Sequence, residues 1–183
     1  MRSRPIVAAA VSSSLFGVLF AAAPARAQVT KEEVPGVTNF ARVETTVACG
    51  GAIKPEAVAE LKQRGFKSIF DLQLPSERTA NVEGEAAAAR AAGITFVHVP
   101  FTPTAPDTTS VEKFLAEIQK PGNEPAFIHC GGGNRAAGFW LIKRVLVDKW
   151  DKDRALTEAE ALGLAPGQPM EQFALDYLNT HRR

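Results

Sequence analysis

A chain of 183 residues with 21 basic and 20 acidic side chains, formal charge +1, carries no basic run able to neutralise successive phosphates, which excludes a nucleic-acid partner. Its three histidines, His98, His129 and His181, are scattered without metal-ligand spacing, so neither a metal nor another cofactor is expected. With 45% hydrophobic residues and no internal repeat, the chain is read as one ordinary domain with a substantial core.

In chain order, Arg2 and Arg4 give a basic end, Ile6 to Ala23 is apolar apart from serines, and Ala25-Arg26-Ala27 offers small residues for cleavage. Residues 1–27 are therefore expected to be a cleaved signal peptide and 28–183 a secreted or periplasmic domain. Losing Arg2, Arg4 and Arg26 takes the formal charge from +1 to −2. No later segment approaches membrane length, so no membrane association is expected after cleavage.

Gln28 to Val37 reads as a loose lead-in. Asn39 to Val43 and Thr46 to Cys49 read as short strands, followed by a Gly50-Gly51 turn. Pro55 suits a first helical position, and Ala57, Val58, Leu61 and Phe66 form the apolar face of a helix stopped by Gly65. Ser68 to Leu74 reads as a strand, Pro75 to Ala80 as a loop, and Asn81 as the cap of an alanine-rich helix ending at Gly93. Thr95 to Val99 is the next strand, Pro100 to Thr108 a proline-rich loop, and Thr109 with Glu112 a capping box for a helix through Gln119.

Ala126 to His129 reads as a buried strand. It runs into Cys130, three glycines, Asn134, Arg135 and an amphipathic helix with Phe139, Leu141, Ile142, Val145 and Leu146 on one side. A further helix follows from Asp151 through Leu162, with Gly163 as its stop, and a last one from Met170 to Asn179. Strands alternating with helices imply an α/β fold, a mostly parallel central sheet covered on both faces, with ligands at the carboxyl ends of the strands.

Cys130 stands at such an end. Free amides and the dipole at a helix amino terminus favour negative charge, so the surroundings favour a thiolate, a nucleophile. Gly131, Gly132 and Gly133 let the backbone curl with its N–H groups toward an oxyanion, and with Asn134 and Arg135 they make a candidate phosphate cradle. The planar fork of Arg135 grips two oxygens at once, which a lysine does not do.

HCGGGNRAAGFW resembles the active-site loop of the cysteine-dependent protein phosphatases. It resembles especially the bacterial dual-specificity-like group that occurs as the phosphatase-like domain of beta-lactamase hydrolase-like proteins. The flanking NFARVETTVACGGAIKPEAVAELKQRGFKSIFDLQLPSE and GEAAAARAAGITFVHVPF agree, so the resemblance runs from about Asn39 to Tyr177. It implies a dual-specificity-phosphatase-like fold and hydrolysis of a phosphorylated small molecule or protein through a phosphocysteine on Cys130.

The resemblance also implies a general acid on the loop after the preceding strand, where Asp107 stands. Glu77 is the second choice for that role, or else an ion-pair partner that holds Arg135. His129 precedes the nucleophile as in phosphatases, either tuning the thiolate or filling the core, and Arg78 is a weaker candidate for the mouth of the site. Cys49 falls in a segment that lies beside the active loop in this group, which makes it a possible redox partner of Cys130. The usual phosphatase loop has five residues between Cys and Arg, whereas here there are four, Gly131 to Asn134. The bacterial phosphatase-like group shares this shorter spacing, as do rhodanese-type sulfurtransferases, whose loop is likewise small. A persulfide on Cys130, or a catalytically inactive oxyanion-binding module, therefore stands beside the phosphatase reading.

Overall fold

The computed structural model describes residues 28–43 and 45–181, and the expected signal segment lies outside them. Six strands form one sheet: β1 (Val29–Lys31), β2 (Ala41–Val43), β3 (Val47–Gly50), β4 (Ser68–Asp71), β5 (Thr95–His98) and β6 (Ala126–His129), in the order β1-β2-β3-β6-β4-β5. The four strands β3, β6, β4 and β5 run parallel, and β1 and β2 add antiparallel at the β3 edge. The sheet is mostly parallel, as expected, with an antiparallel edge that makes it mixed. Every residue of β3, β4 and β6 is buried, as strands covered on both faces require.

Helices α1 (Ala57–Gln63) and α2 (Val82–Ala92) pack on one face, where Val58, Leu61 and Ala89 meet Ala48, Ile69 and Phe127. On the other face lie α3 (Thr108–Ile118), α4 (Asn134–Leu146), α5 (Lys152–Leu162) and α6 (Pro169–His181), around Phe70, Ile128, Phe114, Phe139 and Trp140. Along one strand successive side chains point to opposite faces. Cys49, Ile128 and Cys130 thus belong to the second face and Phe127 to the first.

Helix α4 is the centre of the second layer. The sequence suggests one apolar side, but Ala136 through Val145 are all buried, including Lys143 and Arg144. Those two charges are paired. Lys143 Nζ lies 2.9 Å from Glu124 and 3.1 Å from Asp148, and Arg144 bonds Glu158 at 2.7 Å. Paired in this way, the two cations escape most of the penalty that an isolated buried charge pays.

Besides shifts of one or two residues at other element ends, three features differ from the sequence expectation. The lead-in contains β1, which occupies the free edge of β2 with Val29 opposite Val43; a three-residue strand has too little alternation to be read. Strand β4 ends at Asp71 rather than Leu74, because the Asp71 carboxylate accepts the Gln73 N–H at 2.8 Å and turns the chain out of the sheet. Helix α3 is capped by Asp107, not Thr109, since Asp107 Oδ1 accepts from both the Thr109 N–H (2.9 Å) and its hydroxyl (2.7 Å). No helix among the described residues is long and apolar enough to cross a membrane.

Candidate active site

Cys130 follows the last residue of β6, and Gly133 caps α4 three residues later. The Gly133 N–H donates to Cys130 Sγ at 3.2 Å. Two carbonyls of the loop are held outward: Gly131 O accepts from the Ala52 N–H at 3.1 Å, and Gly132 O from Asn39 Nδ2 at 3.2 Å. In a planar trans peptide the C=O and the next N–H point in opposite directions. Fixing those two oxygens therefore aims the amides of Gly132 and Gly133 inward.

The curl depends on glycine at two places. Gly133 has φ +104°, where a side chain is strained, and a Cβ on Gly51 would sit 2.9 Å from the Gly131 carbonyl that closes the ring. With the amino end of α4 beside it, the loop is a built site for an anion.

Arg135 is clamped across the mouth. Its guanidinium makes a two-pronged pair with Glu77, Nη1 to Oε1 at 2.7 Å and Nη2 to Oε2 at 2.6 Å, and Nη1 also donates to Leu72 O (3.1 Å) and Phe101 O (2.7 Å). Glu77 is itself held, since its Oε1 accepts the Leu74 N–H at 2.7 Å. Partial burial pushes the Glu77 carboxyl up. The bonds from Arg135 and Leu74 outweigh that and leave it below the usual range. Burial likewise pulls Arg135 down, but Glu77 and then the Cys130 sulfur hold the guanidinium above its ordinary value. The cation is thus fixed beside the thiol, with a fork suited to planar or tetrahedral oxyanions.

The sequence-read residues do not all converge. Cys130, Gly131 to Gly133 and Arg135 stand together, with Glu77 as the ion-pair partner of Arg135. Asn134 turns its side chain away: its Oδ1 accepts the Ala165 N–H at 2.9 Å and ties the α5–α6 connection to the loop, leaving only its backbone for the cradle. Asp107 is exposed and committed through Oδ1 to the cap of α3, and Arg78 is exposed. His129 faces the opposite layer, stacked on Phe127 and beside Asp71 and Glu85, so it fills the core and does not touch the sulfur.

Cys49 and Cys130 are both free and buried. Cys49 is in register with Ile128, so Cys130 lies two residues further on the adjacent strand. Strand spacing and rise give about 8 Å between their Cα atoms, beyond the roughly 7 Å a disulfide spans without backbone movement. Burial, with Cys130 and Glu158 nearby, pushes the Cys49 thiol well above its ordinary value. The redox-partner expectation for Cys49 finds no ready geometry here.

Sequence reading missed Asn39, Ala52, Leu72 and Phe101, which shape the ring from other strands and loops; the structure gives Asn39 a positive φ (50°), which Asn tolerates better than most residues. It also missed the meeting of His129 with Asp71 and Glu85, whose donor atoms lie within 4.8 Å of one another. Burial raises the Asp71 carboxyl there against the pull of His129.

A mostly parallel α/β sheet that delivers a cysteine, an amide ring and a clamped arginine to the start of a buried helix defines a protein of the cysteine-dependent phosphatase class. Residues 21–164 match the family described as a DSP-PTPase phosphatase fused to NAD+ kinase, and the chain belongs to that family. A beta-lactamase hydrolase-like protein of Xylella fastidiosa is 28% identical over 128 residues, 68% of this chain and 28% of that protein. The match therefore spans little more than a quarter of that relative's length. Among solved structures, a DUF442 protein of Shewanella putrefaciens CN-32 superposes with TM-score 0.66 at 19% identity, covering 80% of this chain and 92% of that one. TpbA of P. aeruginosa gives 0.63 at 22%, covering 85% and 91%. The core catalytic domain of SIW14, a PP-IP phosphatase of S. cerevisiae, gives 0.59 at 19%, covering 76% and 85%. These likenesses establish the shared fold.

Proposed function

We propose that this chain is a cysteine-dependent phosphatase that hydrolyses phosphomonoesters through a phosphocysteine intermediate. The observation that carries the reading is the Gly133 N–H on Cys130 Sγ at 3.2 Å, at the amino end of α4 and beside the clamped Arg135. Cys130 attacks phosphorus, the bond to the leaving oxygen breaks, and the inward amides with Arg135 hold the equatorial oxygens. The leaving oxygen needs a proton. Asp107 is the proposed donor, because it lies on the same loop as Phe101, whose carbonyl binds Arg135. Water then attacks the phosphocysteine, releasing phosphate and restoring the thiolate.

A Cys-to-Ser variant of TpbA is known in complex with pTyr, and SIW14 is described as a PP-IP phosphatase. Phosphotyrosine and a phosphorylated small molecule are accordingly the two substrate classes to try. The test is Cys130→Ser with an aryl phosphate: turnover is expected to vanish while inorganic phosphate still binds. Undiminished turnover would refute the mechanism.

A second reading, sulfur transfer through a Cys130 persulfide, has one observation in its favour: the ring holds only four residues between Cys130 and Arg135, and sulfur transfer needs no acid such as the helix-capping Asp107. Mass spectrometry of the trapped adduct separates the two, since phosphoryl and sulfane sulfur differ in composition. Export is proposed as well, from the basic and apolar pattern of residues 1–27. Amino-terminal sequencing of protein recovered outside the cytoplasm should begin at Gln28, and an intact Met1 in that fraction would exclude cleavage.

A further inference from the structure

On the face of the sheet away from the thiol, three side chains that the proposed chemistry does not use meet in the core. Asp71 ends β4, His129 ends β6 in register with it, and Glu85 descends from the first turn of α2. All three are fully buried. His129 Nε2 stands 3.1 Å from Glu85 Oε2 and 3.7 Å from Asp71 Oδ1. Yet Asp71 Oδ2, both Glu85 oxygens and both His129 nitrogens lack a hydrogen-bond partner, the approach of His129 to Glu85 being close but misaligned.

Such a group is costly in a protein interior. Buried charges are paired or on a metal, and unpartnered buried polar atoms are rare enough to demand a reason. Two carboxylates and one imidazole leave negative charge behind even when the imidazole is protonated, whereas a divalent cation balances both carboxylates with the imidazole neutral. The spacing agrees. Four ligands about 2.1 Å from a tetrahedral ion lie about 3.4 Å from one another, and the two contacts of His129 Nε2, 3.1 and 3.7 Å, bracket that edge.

We propose that His129 Nε2, Asp71 and Glu85 form a site for a divalent transition-metal ion of the zinc type, joining β4, β6 and α2. Imidazole and carboxylate ligands suit such an ion, and three protein ligands leave one position for water. His98 continues the row on β5, its Nε2 4.0 Å from Asp71 Oδ2 and its side chain 24% exposed, so it marks the side from which an ion enters. The ion holds the residue just before Cys130 and so steadies the root of the loop. This inference does not depend on which reaction Cys130 performs.

The test uses the whole chain, freed of metal with a chelator and titrated with Co²⁺. One equivalent is expected to bind with the intense visible bands of a tetrahedral site, no thiolate-to-cobalt charge-transfer band, and a rise in Tm. Glu85→Gln and Asp71→Asn are expected to weaken binding about 100-fold or more, and Cys130→Ser to leave it unchanged. No uptake by the metal-free parent, affinity unchanged in both carboxylate variants, or loss of binding in Cys130→Ser would each overturn the proposal. Should one carboxylate variant fail to fold, the other gives the same reading, and the parent titration decides without either.

Discussion

At the scale of single residues, the ring around Cys130 is held from outside itself. Gly132 and Gly133 contribute inward amides because the carbonyls that precede them, Gly131 O and Gly132 O, are tethered, and the tether on Gly132 O is the amide of Asn39, 93 positions earlier in the chain. Asn39→Gly keeps the positive φ and removes only the tether, so it isolates this contribution. One hydrogen bond of about 0.5–1.5 kcal/mol corresponds to roughly a 2- to 10-fold change in an equilibrium. Phosphate affinity should fall by that factor with Tm nearly unchanged, and an unaltered affinity would show that the loop keeps its shape unaided. The thiol, the glycines and Arg135 were legible in the sequence because they are contiguous and their chemistry is local. Asn39, Ala52, Leu72 and Phe101 were not, because nothing in a linear chain announces which distant backbone will meet a loop.

At the scale of elements, α3 shows how one side chain serves two readings. The resemblance points to Asp107 as an acid near the site, and the structure gives it a structural duty as the cap of an 11-residue helix. The two duties separate by substitution. Asparagine caps a helix about as well as aspartate, whereas alanine does not and costs about 1 kcal/mol. If Asp107 donates the proton, Asp107→Asn should leave Tm in place and lower kcat by roughly 10²–10⁴ on an alkyl phosphate, with less effect on an aryl phosphate whose leaving oxygen needs no proton. Equal loss for both substrates, or loss only in Asp107→Ala, would leave the cap as its sole role. The same element level shows why most of the fold could be read in advance. The caps at Asn81 and Asp151 and the left-handed stops at Gly93 and Gly163 stand where the sequence puts them. The burial of Lys143 and Arg144 could not be read, because the residues that neutralise them, Glu124, Asp148 and Glu158, lie on a preceding loop and on segments after α4.

At the scale of the whole molecule, the Glu77–Arg135 pair links the loop after β4 to the central helix, so its protonation state bears on global stability. The folded-state value of Glu77 is lowered, which means that the folded chain holds this proton less tightly than the unfolded chain does. Its contribution is therefore complete above the ordinary glutamate range and is lost as pH falls through the depressed folded value. A hydrogen-bonded charge of this kind contributes about 1.5–3 kcal/mol. Glu77→Gln should lower the unfolding free energy by that amount at neutral pH. The gap to the parent should close as the medium is acidified, because the parent's carboxylate becomes as neutral as the amide. Denaturant melts of both proteins from neutral to strongly acidic pH read this directly. A constant gap at all pH values would mean that packing, not charge, holds Arg135 in place. In that case the guanidinium would keep its aim over the thiol in acid, and any loss of turnover there would belong to groups other than this clamp.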